Sequence, residues 1–187
     1  MPGQSVVLAT NRDKEHILDK HDISYRQIVP GEGSIFKQIW LQALRSTPSS
    51  YASILDDWES LSEDEWNRRL TDPVFGAFHS GIPVGLMGLI RRHPAKLKHR
   101  AIIVMAYVHA DFRRTGTASA LLNRVISFAK DKGISKLELC VSGENVSAIA
   151  FYRSQLFSDL CVVPGGIIEN GKPVKEVQMI RSIGDLG

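Results

Sequence analysis

Residues 106–119, Ala106-Tyr107-Val108-His109-Ala110-Asp111-Phe112-Arg113-Arg114-Thr115-Gly116-Thr117-Ala118-Ser119, lead from an apolar run into a helix-like one. Upstream, Ala101–Val108 is nearly all apolar, the pattern of a central strand buried on both faces. Downstream, Ala118–Lys132 carries Leu121, Leu122, Val125, Ile126 and Ala129 at helical spacing, and Gly133 stands where a helix cap belongs. The first amides of a helix lack intrahelical acceptors, and the helix dipole favours a negative ligand there. Small residues at Gly116 and Ala118 let a diphosphate approach the backbone, and Arg113 and Arg114 add positive charge. No Gly-Lys-Ser/Thr follows and G-x-G-x-x-G is absent, so this is neither a P-loop nor a dinucleotide fingerprint. Taken alone, the segment reads as an anion-binding turn or as a loop with arginines near a helix start.

The flanks supply the rest of the architecture. Ile23–Val29 alternates as an opening strand, and Pro30-Gly31-Glu32-Gly33 breaks it. Ser34 is a candidate cap for a helix with Ile35, Ile39, Trp40, Ala43 and Leu44 on one face, ended by Pro48. A second short helix is expected between Ser50 and Trp58. Ser62 and Glu65 have capping-box spacing and Leu61 and Trp66 that of a hydrophobic staple, for a helix running to about Thr71. Val74–Phe78 and Ile82–Arg91 are strands joined at His79-Ser80-Gly81. Lys136–Val141 alternates Leu137, Leu139 and Val141, and Asn145–Gln155 is a short helix. Phe157–Val163 and Lys172–Ile183 close the chain as strands around Asn170-Gly171. Residues 1–22 are polar and weakly periodic, an N-terminal extension before a domain over 23–187. The expected fold is α/β, one domain with a mixed, mostly antiparallel central sheet flanked by helices.

A second constellation follows the strand at Lys136–Val141. Asn145, Ala148 and Tyr152 fall on one helical face. From the residues alone, Asn145 is a good helix N-cap and Tyr152 a half-buried tyrosine.

Val108-x4-Arg113-x2-Gly116-x-Ala118, followed by Leu121-Leu122, resembles the acetyl-CoA-binding motif of the GCN5-related N-acetyltransferase (GNAT) superfamily. Asn145-x2-Ala148-x2-Phe151-Tyr152 resembles the N-x-x-A-x-x-[FL]-Y helix of the same superfamily, at the expected distance. Ala43-Leu44, Pro48-Ser49-Ser50-Tyr51, Trp66 and Leu70 extend the likeness, which covers roughly Ile23 to Ile183. Four positions depart from the pattern: Ala118 stands where glycine is commoner, Ala110 replaces a frequent proline, Thr115 a frequent glycine or basic residue, and Leu156 the usual glycine before Phe157.

The resemblance implies an acetyl-CoA-dependent N-acetyltransferase. Backbone at Ala106, Tyr107 and Val108 would pair with the pantetheine arm, and the amides of Arg114, Thr115, Gly116, Thr117, Ala118 and Ser119, with Arg113, would hold the pyrophosphate. Asn145 would contact the cofactor arm, and Tyr152 would protonate the departing thiolate while an amine attacks the thioester directly. Many relatives carry a glutamate base on the central strand, where this chain has none; some N-terminal acetyltransferases carry one where Cys140 stands. His109, Asp57, Glu59 and Glu144 are the candidate bases. The alternative to an enzyme is a non-catalytic acyl-CoA-binding or regulatory module.

Composition sets the outer limits. At 187 residues, 43% hydrophobic and 23% charged, the chain is globular in type and long enough for one well-filled core. A net charge of +3 helps attract an anionic cofactor and is too small to argue for nucleic acid. The basic run Arg91, Arg92, Lys96, Lys98 and Arg100 lacks interleaved aromatics and reads as a solvated hairpin tip. Asp56, Asp57, Glu59, Glu63, Asp64 and Glu65 read as a solvated, dipole-matched helix region, or as a lure for a cationic amine. Cys140 and Cys161 are expected to be buried free thiols, and no metal spacing is present. Without a signal-peptide pattern or a bilayer-length apolar run, a cytoplasmic location is expected, with an amine-bearing acceptor as partner, no nucleic acid or membrane, and a monomer or homodimer.

Overall fold

β1 (Ile23–Ile28), β2 (Val74–His79), β3 (Ile82–Arg91) and β4 (Arg100–Val108) pair antiparallel in chain order. β5 (Lys136–Ser142) runs parallel to β4, and the hairpin of β6 (Ser158–Glu169) and β7 (Lys172–Ser182) completes a seven-stranded sheet of order β1-β2-β3-β4-β5-β7-β6. Only the β4–β5 pair is parallel, so the sheet is mixed and mostly antiparallel, as expected. The computed structural model describes residues 22–184; the expected extension, apart from Asp22, lies outside the described residues. Among them no helix is long and apolar enough to cross a membrane.

Among the described residues, five α-helices cover the two faces. α4 (Thr117–Asp131) and α5 (Val146–Ser154) pack on one face, where Leu121, Leu122 and Val125 meet Leu137, Leu139 and Met179 with almost no exposure. α1 (Gly33–Ser46), the one-turn α2 (Asp56–Glu59) and α3 (Glu63–Arg69) pack on the other against β1–β4. An aromatic cluster fills that layer: Phe36 meets Trp66 edge-on at 5.0 Å, and Trp40 meets Trp58 at 5.5 Å. Each such pair adds about 0.5–1.5 kcal/mol beyond area burial.

Several local expectations are corrected by longer-range partners. Ser34 does not cap α1. Glu32 is the N-cap residue, its carboxylate accepting from the Val29 amide at 2.9 Å and pairing with Arg26 at 2.8 Å. The amides of Gly31 and Gly33 donate to Asn67 Oδ1, at 2.9 and 3.1 Å, so a side chain of α3 satisfies the start of α1. The single helix expected over Ser50–Trp58 is instead a 3-10 turn at Pro48–Ser50 and α2. The capping box of α3 is present in both directions, Ser62 with Glu65, and the helix stops at Arg69, two residues before Thr71. The basic run is not wholly solvated, because Arg92 and Arg100 both bind Glu138 of β5. Cys140 and Cys161 are free but exposed, because each faces away from the α4 core, on the sheet face that α1 leaves uncovered. Leu156 holds φ 64°, the left-handed conformation that suits the glycine more usual there.

Candidate active site

A cleft opens where β4 and β5 part. Their pairing covers Arg100–Ile102 against Lys136–Glu138 and then stops, although β4 continues to Val108 and β5 to Ser142. β5 stays paired with β7 along its whole length, while β4 stays with β3 through a register shift beside Gly88. At that shift Met105 takes φ 55°, a bulge that turns the end of β4 away from β5. Gly88 makes the room: a Cβ there would stand 2.7 Å from Met105 Cε and 2.9 Å from Val104 Cγ2. The expectation that Ala101–Val108 is buried on both faces is therefore corrected. Ala101 and Ile103 are buried, whereas Val104, Met105, Ala106 and Val108 are half-exposed and line the cleft.

The cleft holds about 670 Å³. The His109 amide donates to Val84 O on β3, so by alternation the peptide groups of Ala106 and Val108 face the gap left by β5. Side chains already take their carbonyls: Tyr51 Oη donates to Ala106 O at 3.1 Å and Arg113 Nε to Val108 O at 3.0 Å. Arg113 thereby fastens the turn to the strand end. Burial, with smaller contributions from its neighbours, pushes the Tyr51 hydroxyl up to about 12.

Beyond Val108 a short 3-10 turn at Ala110–Phe112 leads to Arg114 at φ 63° and Gly116 at φ 89°. Two left-handed residues so close together curl the loop onto the start of α4. Its first bond runs from Ala120 N to Gly116 O at 3.0 Å, which leaves the amides of Thr117, Ala118 and Ser119 without an intrahelical acceptor. Among the described residues no side chain caps this end. Arg113, Arg114, Gly116, Ala118 and Ser119 line the cleft. The Thr115 and Thr117 side chains do not; Thr115 Oγ1 donates to Phe112 O at 2.7 Å and sits 2.8 Å from Thr117 Oγ1, which braces the turn from behind.

α5 forms another wall. Asn145, Ala148 and Tyr152 all line the cleft, as their shared helical face requires. Asn145 is the N-cap: its Oδ1 accepts from Ala148 N at 3.1 Å, and its Nδ2 donates to Ser50 Oγ at 3.3 Å, tying α5 to the Pro48–Ser50 turn. The Tyr152 ring packs edge-on between Phe151 (5.2 Å) and Phe157 (5.5 Å). Burial first, and Tyr51 second, holds its hydroxyl above the usual tyrosine range, so it stays protonated at neutral pH.

None of the candidate bases lines the cleft. His109 turns to Asp111, with Nδ1 3.5 Å from Oδ2, while Asp57 and Glu59 lie in α2 and Glu144 precedes α5. Among the described residues no Asp, Glu or His lines it at all. Cys140 does, its thiol pushed up to about 11 by burial and then by the Glu176 carboxylate. Sequence reasoning assigned no role to Thr47, Ser50 or Tyr51, which also line the cleft; Pro48-Ser49-Ser50-Tyr51 was the available signal, and it had no visible partner.

Comparison with known proteins places the fold and the family. An uncharacterized N-acetyltransferase of Methanocaldococcus jannaschii is 34% identical over 100 residues, covering 52% of this chain and 44% of that protein. Human N-acetyltransferase 8 is 32% identical over 75 residues, covering 40% of this chain and 33% of that protein. The similarity thus spans less than half the length of either curated relative. A GNAT-family acetyltransferase of Streptococcus pneumoniae shares the fold at TM-score 0.78 and 18% identity, covering 87% of this chain and all of that one. The yncA protein of Salmonella typhimurium, solved with its cofactor acetyl-CoA, shares it at TM-score 0.75 and 16% identity, covering 89% and 96%. The sequence pattern of the acetyltransferase (GNAT) family matches residues 38–156, well over half of the chain. The chain belongs to the acetyltransferase (GNAT) family.

Proposed function

We propose that this protein is an acetyl-CoA-dependent N-acetyltransferase whose acceptor is a primary amine, in a small molecule, peptide or protein. The observation that carries this reading is the meeting, in one cleft, of an uncapped helix start, the edge of β4 that parts from β5 and a buried phenol. The residues fit the cofactor. The amides of Thr117, Ala118 and Ser119, the left-handed turn at Arg114–Gly116 and the charges of Arg113 and Arg114 would hold the pyrophosphate. The edge of β4 at Ala106–Val108 would hold the pantetheine arm, with Ala148 leaving room for it and Asn145 fixing the start of α5.

Acetyl-CoA supplies a thioester, whose carbonyl carbon is open to attack by an amine. The Val108 amide faces the gap and can donate to an oxygen that gains negative charge. Tyr152 holds its proton and can give it to a leaving sulfur. Direct attack is favoured over a thioester relay through Cys140, because that thiol, at about 11, is almost wholly protonated at neutral pH. Two exposed free thiols fit a reducing compartment, and we place the activity in the cytoplasm.

The test is calorimetric titration with CoA, followed by thiol release from acetyl-CoA over free lysine, lysine-containing peptides, peptides with free N-termini and polyamines. The expected result is CoA binding and release that saturates with at least one amine, with intersecting initial-velocity lines. CoA binding with no amine-dependent release would support the non-catalytic module instead. Parallel lines with acetyl found on Cys140 would refute direct attack.

A further inference from the structure

An amine with the lysine pKa of about 10.4 reaches the enzyme protonated, and nothing lining the cleft is an obvious acceptor for that proton. The β5–β7 register sets a carboxylate just behind its wall, next to the cleft-lining Cys140. Cys140 pairs with Gln178 and Ser142 with Glu176, so Cys140 and Glu176 are diagonal neighbours on one sheet face. The alternating residues Leu139, Val141, Val177 and Met179 point the other way, into the α4 core. Gln178 Nε2 donates to a Glu176 oxygen at 3.2 Å, and Cys161 of β6 donates to Gln178 Oε1 at 3.4 Å. Gly166 of β6 packs so closely that a Cβ there would lie 2.8 Å from Glu176 Cβ. The side chain is thus half-buried and accepts from Gln178, with its charge acting on the cleft-lining Cys140 thiol.

The other groups on this face do not compete with it. Glu138, the next carboxylate along β5, is bound by Arg92 and Arg100. On β6, Cys161 is bonded to Gln178, Asp159 is paired with Arg153, and Glu169 stands opposite Lys172 at the end of the hairpin. Lys175, the adjacent cation on β7, packs on the opposite face against Gly143.

We propose that Glu176 attracts the acceptor ammonium to the β5 wall beside Cys140 and takes its proton, directly or through one water. This rests on the acetyltransferase reading above. One N–H proton passes to the carboxylate, and the freed lone pair forms the C–N bond as the C–S bond breaks. The sulfur takes the Tyr152 proton, and the second nitrogen proton restores Tyr152. Glu176 returns its proton to solvent, so each turnover releases one proton. The geometry was not legible in the sequence, because Glu176 stands 36 positions after Cys140 and only strand register joins them.

The test uses Glu176→Gln and Glu176→Asp in the full chain, with Tm measured for each. One readout needs no turnover. In a Cys161→Ser background Cys140 is the only thiol, and its alkylation by iodoacetamide reports whether Glu176 faces it. Glu176→Gln should raise the alkylation rate at pH 8 several-fold, with CoA affinity within about 2-fold of the parent. With the amine that the wild type uses best, Glu176→Gln should lower kcat/KM about 100-fold or more at neutral pH. Its rate should then climb about tenfold per pH unit toward the pKa of the free amine, and Glu176→Asp should recover part of the loss. An unchanged alkylation rate, or kcat/KM within about 3-fold at all pH values, overturns the assignment of Glu176 alone. A wild type that binds CoA and acetylates no amine overturns the acetyltransferase reading, and this assignment with it.

Discussion

Gly116→Ala isolates what the turn before α4 contributes. Gly116 has φ 89°, and no atom lies within 4 Å of an added Cβ, so the substitution meets no steric wall. Its cost is conformational: an L-residue held left-handed loses roughly 1–2 kcal/mol. Alanine also restricts the unfolded chain, which offsets about 0.4–1 kcal/mol of that. The net is about 1 kcal/mol, which for a domain of this size lowers Tm by about 2–4 °C. Ligand binding should suffer more. The turn relieves its strain by rotating, and rotation swings the amides of Thr117 to Ser119 that follow it. A hydrogen bond to a charged group contributes about 1.5–3 kcal/mol, so misaiming one weakens CoA binding about 10- to 100-fold. The assay pairs thermal denaturation with calorimetry on CoA and on acetyl-pantetheine, which lacks the diphosphate. Pantetheine affinity should stay unchanged. The reasoning fails if CoA affinity is unaffected while Tm falls as expected, or if both ligands weaken equally.

Three further outcomes follow from other parts of the molecule. Tyr152→Phe keeps the ring between Phe151 and Phe157 and removes the proton donor, so kcat should fall about 100-fold or more with CoA affinity unchanged; steady-state kinetics and calorimetry read both, and a loss under 3-fold would deny Tyr152 the acid role. Ser62→Ala removes the N-cap of α3 and should cost about 1 kcal/mol, visible in urea denaturation, with thiol release unaffected. Burial opposes the charge of Glu138, yet hydrogen bonds from Arg100 and Arg92 prevail and hold its pKa below the ordinary value. A depressed carboxylate pKa stabilises the fold above the unfolded value and loses that contribution as pH falls through the folded one. Stability should therefore drop below about pH 4.5, and Glu138→Gln should flatten that part of the pH–Tm curve while lowering Tm at pH 7.

Local chemistry explains what could be read from the chain alone. The Ser62–Glu65 capping box, Asn145 as N-cap, Gly133 at the end of α4 and the turn at Gly116 each depend on groups within a few residues of one another. A pattern written into consecutive residues is enough to specify them. The succession of strands along the chain and the antiparallel bias followed from alternating apolar runs joined by short turns, and the Arg113–Ala118 and Asn145–Tyr152 motifs marked the proposed donor half of the site.

Contacts between distant segments decided the rest. Asn67 replaced Ser34 at the start of α1 because its side chain reaches two amides more than thirty residues away. Tyr51 and Ser50 became walls of the cleft only through bonds to Ala106 and Asn145. Val104–Val108 looked like a fully buried strand because apolar residues that line a cleft cannot be told by composition from those that fill a core. The bulge at Met105 and the parting of β4 from β5 arise from competing pairings with β3 and β7, a contest that no single segment encodes. The same register sets Glu176 beside Cys140. The chain itself carried the motif proposed to hold an acyl-CoA pyrophosphate; only the tertiary structure brought Glu176 beside the cleft-lining Cys140, because strand register places side chains that sequence distance keeps apart.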